Sequence, residues 1–160
     1  MSIEELQKQL LENKKNIEEK ISNLGFPIPN KADLKELCLP DNLSIITDLD
    51  LDGYYDKFTK ILQFSHYYES ELELQIDMII YNRDLLLDIT LTKIGSWGKK
   101  NLLKAEAIKT EPKIKEWEQM LMNVKSTHIL LKGLIKGYKN ALKRIESEKI
   151  ERASKRKYGG

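Results

Sequence analysis

The apolar residues of this chain fall into long helical stripes. From Tyr54 onward, alternate steps of three and four pick out Phe58, Ile61, Ser65, Tyr68, Leu72, Gln75, Ile79, Asn82, Leu86 and Ile89, seven of the ten apolar or aromatic. A second run, Ile114, Trp117, Leu121, Val124, His128, Leu131, Ile135, Tyr138, Leu142 and Ile145, is interrupted only by His128. A repeat of 3.5 keeps one side of a helix turned toward a partner. The runs predict two helices of roughly 35 to 40 residues, each about 55–60 Å long at 1.5 Å per residue. Their matched lengths predict an antiparallel helical hairpin within an all-α fold. Gln75 and Asn82 at seam positions cost stability but can set register or oligomeric state.

A shorter stripe precedes them. Ser2-Ile3-Glu4-Glu5 has the spacing of a capping box, Leu6, Leu10, Ile17, Ile21 and Leu24 share a face, and Gly25 supplies a stop. This predicts a helix over about 3–24. Phe26-Pro27-Ile28-Pro29 should be extended, because proline lacks an amide hydrogen and biases its predecessor away from helix. Asn30 can cap a short helix over 31–38 that ends before Pro40-Asp41-Asn42. The expected organisation is an N-terminal helical appendage (1–50), a hairpin (51–153) with a basic loop (93–112), and a flexible basic tail (154–160). Two helices alone bury too little apolar surface to stand in water. The seams are therefore completed by the N-terminal helix or by further subunits. The expectation is a homo-oligomer assembled through Leu121, Val124, Leu131, Ile135, Tyr138 and Leu142.

Composition narrows the classes. The chain has 160 residues, 41% hydrophobic and 32% charged, with 8 Gly and 4 Pro, a balance typical of long helices rather than sheets. The single Cys38 excludes an internal disulfide and fits a reducing compartment. No apolar run approaches the ~20 residues of a membrane span, and the N-terminus lacks a signal-peptide layout. A cytoplasmic location without membrane association is expected.

The net charge of +2 averages two unlike halves. Residues 1–92 hold 9 Lys+Arg against 18 Asp+Glu, net −9, whereas residues 93–160 hold 18 against 7, net +11. Such asymmetry marks a nucleic-acid-facing end. It equally fits acidic and basic helices that lie side by side and neutralise each other.

Two basic groups carry the candidate chemistry. The loop contains Lys93, Lys99, Lys100 and Lys104 around Gly95-Ser96-Trp97-Gly98, so the Trp97 indole can stack on a base while the ammonium groups meet phosphates. The alternative is that Trp97 folds back as a hydrophobic plug. On the last helix, Lys132, Lys136, Lys139 and Lys143 share one face and can track a phosphate backbone, or simply form a solvated exterior. Asp48-Leu49-Asp50-Leu51-Asp52-Gly53 imitates the opening of a calcium loop. The twelfth position is Thr59 instead of glutamate, so Asp52 is better read as a cap of the long helix. No metal-spaced cluster, phosphate-binding glycine loop or nucleophile elbow is present. His128 reads as a packed core residue, and Glu69, Glu71 and Glu73 lie on a helix without a discernible pocket. No cofactor, no metal and no catalytic residue is expected, so the protein is not an enzyme.

A long helix opening Tyr54-Tyr55-Asp56-Lys57-Phe58, a basic Gly/aromatic loop, and Ala107-Ile108-Lys109-Thr110-Glu111-Pro112-Lys113-Ile114 leading into a long C-terminal helix resemble the UvsY-type recombination mediators of bacteriophages. The likeness covers about Tyr54 to Ser147. It implies a helical protein that assembles into rings, binds single-stranded DNA, and helps load a RecA-like recombinase onto strands coated with single-strand-binding protein. It also implies a location in the host-cell cytoplasm. In that family basic residues near the end of the first long helix contact DNA. Here the matching stretch, Asp88 to Lys93, is basic only at Lys93, and the charge lies instead at Lys99, Lys100 and Lys104. The competing expectation is a coiled-coil scaffold or phage assembly adaptor that binds only proteins.

Overall fold

The structure, a computed structural model, describes residues 3–26, 39–95 and 98–159; in the first helix, side chains are described for Lys8, Leu11, Glu12 and from Lys15 onward. The described residues are all-α, with helices α1 (Ile3–Asn23), α2 (Asp48–Ile94), α3 (Lys100–Thr110) and α4 (Lys113–Tyr158), and a 3-10 turn at Leu43–Ile45. At 47 and 46 residues, α2 and α4 are each about 70 Å long at 1.5 Å per residue. The chain divides into two compact units, one of Met1–Tyr68 with Leu130–Gly160 and one of Glu69–Ile129. The boundary at residue 50 expected between appendage and hairpin is thus replaced by a unit in which the N-terminal segment shares a core with the start of α2 and the end of α4.

In the first unit, α1 ends in a Schellman motif. Gly25 adopts φ 90°, a left-handed conformation that favours glycine. The Phe26 amide donates to the Ile21 carbonyl at 3.3 Å and the Gly25 amide to that of Ser22 at 2.9 Å. Ile21 and Phe26, the apolar pair of the motif, are both 1% exposed. Phe26 stacks on Phe64 of α2 at 4.9 Å and meets Tyr68 at 5.6 Å, which fixes the end of α1 against α2. Leu6 and Leu10 lie outside the described side chains, as Ser2 and the predicted helix at 31–38, with Cys38, lie outside the described residues.

The main core of this unit is Leu39, Leu43, Leu51, Phe58, Tyr138 and Ile145, with Ile46, Tyr54, Tyr55, Ile61, Leu62, Leu134, Ala141 and Leu142 packed around it. The start of α2 differs from expectation. Thr47, five residues before the expected cap Asp52, is the cap: its hydroxyl accepts from the Asp50 amide at 3.1 Å and donates to the Asp50 carboxylate at 2.7 Å. Asp52 therefore lies inside the helix. The helical run Asp48–Gly53 also points its alternate carboxylates apart, which a calcium loop cannot tolerate.

The α4 positions from Ile114 to Ile145 in the predicted seam are all buried or half-buried. Leu121, Val124, Leu131, Ile135, Tyr138 and Leu142 are therefore covered within a single chain, so the seam expected to join subunits is intrachain core. The α2 seam holds through Leu72 and again at Ile79, Asn82 and Leu86, but Gln75 and Ile89 are exposed. Ile76 and Thr90 are covered in their place, and Arg83 is half-buried beside Asn82. A straight helix drifts about 20° per heptad from a 3.5 repeat, and two successive steps of four, Tyr68–Leu72–Ile76, correct the drift. Gln75 thus lies outside the covered face, and the half-buried Asn82 amide donates to its own helix at the Met78 carbonyl, 2.8 Å away. Buried Ser65, Thr90 and Thr127 likewise donate to carbonyls four residues back, at 2.5, 2.8 and 3.0 Å.

The stretch 93–112, expected as a loop, contains α3. Gly95, at φ 83°, ends α2, and Pro112 separates α3 from α4 because proline cannot continue the α3 ladder. The tail expected to be flexible from residue 154 is the last part of α4, helical through Tyr158.

Candidate nucleic-acid interface

Each α4 lysine of the candidate face follows a seam residue directly: Leu131-Lys132, Ile135-Lys136, Tyr138-Lys139 and Leu142-Lys143. Burial of the seam fixes the rotation of the helix, so the four lysines, about 100° further round, emerge together into solvent. They extend over about 16 Å of helix axis. None is in an ion pair with a described residue. Lys143 also edges an open hollow of about 420 Å³ lined by Asp41, Arg144, Ser147, Glu148 and Glu151. Arg144 is held there by donating to the Pro40 and Asp41 carbonyls at 3.1 and 3.3 Å.

The cations nearer the C-terminus are engaged. Arg152 donates to Asp48 at 2.7 Å, to Glu148 at 2.7 Å and to the Leu43 carbonyl at 2.7 Å. Arg156 also bonds Asp48. Lys149 pairs with Asp52 at 2.5 Å and lies 4.6 Å from the centre of the Tyr55 ring. The Arg152 and Arg156 guanidinium groups hold the Asp48 carboxyl below its ordinary range. At this end the opposite charges of the two helices do neutralise each other.

The second unit carries the remaining candidates. Lys93 is exposed in the last turn of α2, where a cation suits the helix dipole. Lys99 and Lys100 are exposed at the N-terminus of α3, whose first turn has no acid. Positive charge at the positive end of a helix is unfavourable for the isolated fold and concentrates potential that attracts an anion. Lys104 is engaged, paired with Glu118 at 2.8 Å. Trp97 lies outside the described residues.

A second surface was not anticipated from the seam pattern. Leu74, Met78, Tyr81, Leu85 and Ile89 lie on one side of α2, nearly opposite its covered face, and are 62, 57, 69, 47 and 44% exposed. A stripe of this kind needs a partner. Its signal was in the sequence, as a second set of steps of three and four offset from the first. Asp77, Asp84 and Asp88 border it.

Among the described residues, no helix is long and apolar enough to cross a membrane. No protein-family model matches the chain, nor does any curated protein or solved structure. The class that fold and surface define is thus an all-α protein with two long helices, a cationic face on α4 and an apolar stripe on α2.

Proposed function

We propose that this protein is a non-enzymatic binder of single-stranded DNA that works as a homo-oligomer in the cytoplasm. The observation that carries this reading is the face of Lys132, Lys136, Lys139 and Lys143, exposed and without carboxylate partners among the described residues, on a helix whose cations nearer the C-terminus are engaged. Lys93, Lys99 and Lys100 add a second cationic group, with Trp97 available in sequence to stack on bases. The finer role, loading a RecA-like recombinase onto strands coated with single-strand-binding protein, rests on the resemblance to UvsY-type mediators. In this reading α2 and α4 form an antiparallel hairpin. The contacts Asp48–Arg152, Asp52–Lys149 and Phe58–Tyr138 support it, since residue numbers rise along one helix as they fall along the other.

Copies associate through the outer stripe of α2, Leu74 to Ile89, because the α4 seam is already covered. The steps from Leu74 to Met78, Tyr81 and Leu85 are those of helices that pack on one another. Assembly multiplies weak contacts per subunit through effective concentration. The same stripe favours a second reading, an adaptor that binds only proteins.

Fluorescence anisotropy of labelled single-stranded and double-stranded oligonucleotides across a salt series, with light scattering on the same sample, separates the two. The first reading expects single-strand affinity to fall with salt by a slope of about −0.7 per neutralised phosphate. Self-association should strengthen over the same series, because salt screens the aspartates that border the stripe. Absent or salt-independent oligonucleotide binding alongside an intact oligomer would leave the adaptor reading.

A further inference from the structure

We propose that Glu69, Glu73 and His128 bind a divalent transition-metal ion, zinc(II), that clamps α2 to α4 within the second unit; this goes beyond the nucleic-acid reading and does not depend on it. Glu69 and Glu73 are one helical turn apart on the same side of α2, on either side of buried Leu72. His128 occupies a seam position of α4, one turn beyond buried Val124. One ligand atom from each of the three residues lies within 4.8 Å of the others.

The geometry is that of ligands around a shared ion. The Nε2 of His128 stands 3.5 Å from Glu69 Oε1 and 3.4 Å from Glu73 Oε1. That atom is buried and makes no hydrogen bond. Two donors held 2.0–2.2 Å from a tetrahedral zinc ion are separated by about 3.3–3.5 Å. A nitrogen at this distance from two carboxylates is beyond the usual range of a hydrogen bond, yet needs little movement to share a cation with them. The imidazole and two carboxylates suit zinc, whereas magnesium and calcium favour all-oxygen shells. Glu69 and His128 are mostly covered, at 17 and 14% side-chain exposure, while Glu73 is 57% exposed. The solvent side next to Glu73 provides an entry path and a fourth position for water. The ion would bridge residues far apart in sequence, and its binding free energy would add to the stability of this unit.

The test uses the full chain, stripped with chelator and titrated with zinc chloride by calorimetry, with cobalt chloride as the spectroscopic probe. The expected result is one ion per chain, a four-coordinate cobalt spectrum and a raised thermal midpoint. Glu73→Gln and His128→Gln should each weaken zinc binding by more than the ~10–100-fold typical of changes outside the ligand sphere. Glu73 is exposed, so its variant keeps the fold even where the His128 variant does not. Cys38→Ser should leave zinc affinity unchanged. The proposal is overturned if binding is not saturable, or if affinity survives Glu73→Gln. It also falls if zinc leaves the midpoint unmoved while His128→Gln lowers it, the result expected of a histidine that only packs between the two helices.

Discussion

Two stretches of α4 have similar charge and opposite physical roles. Lys132 to Lys143 project from a helix whose far side is buried, and find no carboxylate among the described residues. Lys149, Arg152 and Arg156, a few turns on, meet Asp48 and Asp52 of α2. The first stretch makes no ion pair among the described residues, whereas the second uses its charge to hold the fold together. A count of cations cannot distinguish them, because the deciding residues lie some hundred positions away in the chain. What matters is whether a charge already has a partner.

The largest effect should come from removing the packing that creates both environments. Ile145 lies between the two stretches, is 0% exposed, and belongs to the core with Leu51, Phe58 and Tyr138. Ile145→Ala should cost about 2–5 kcal/mol in chemical unfolding, from lost transfer free energy and the cavity left behind. Loss of well under 1 kcal/mol would mean that charge pairing, not burial, holds this end of α4 to α2.

The comparison sharpens when each stretch is altered separately. Lys136→Glu with Lys139→Glu should leave the thermal midpoint unchanged, because both side chains are exposed, and should reduce the salt slope of single-strand binding by about 1.4, the share of two phosphates. Arg152→Ala should do the reverse, lowering the midpoint while the slope stays as in the parent. If Arg152→Ala also reduces the slope, the engaged cations contact the strand and the distinction fails.

Acid should affect only the engaged stretch. Because Arg152 and Arg156 hold the folded-state pKa of Asp48 below its unfolded value, the stabilisation is fully present above the ordinary aspartate value of about 3.9 and is lost as pH falls through the lowered one. Thermal midpoints of the parent and Asp48→Asn, measured from pH 7 down to pH 2, should converge in that window. Convergence at higher pH would place the pairing elsewhere.

The α4 face was legible from sequence because its seam from Ile114 to Ile145 is almost unbroken, which settles the rotation of the helix and the direction of each neighbouring lysine. The α2 seam was legible without a break to Leu72 and in part beyond it, at Ile79, Asn82 and Leu86; a strict 3.5 repeat ignores the drift of a straight helix, so Ile76 and Thr90 replace Gln75 and Ile89. Helix α3 is masked in the sequence by the breakers Gly95, Gly98 and Pro112, although Leu102, Leu103, Ala105, Ala107 and Ile108 between them are compatible with helix. The grouping of Glu69 and Glu73 with His128 could not be read from spacing at all. It depends on the relative register of two helices, which no local pattern encodes.

The smallest expected effect probes the free stretch from the backbone side. Gly133 and Gly137 alternate with its lysines, both lie inside α4, and a Cβ built at either meets nothing within 4 Å. Glycine in a helix interior is about 0.5–1 kcal/mol less favourable than alanine, so Gly133→Ala and Gly137→Ala should each stabilise the protein by that amount in denaturant unfolding. Oligonucleotide affinity then reports how the face is used. If only the lysine ends reach the phosphates, both alanine variants should bind as the parent does. If a strand lies against the helix backbone itself, the two methyl groups intrude on it, and affinity should fall although the fold is more stable. A variant that gains stability and loses binding would give the paired glycines a place in the interface.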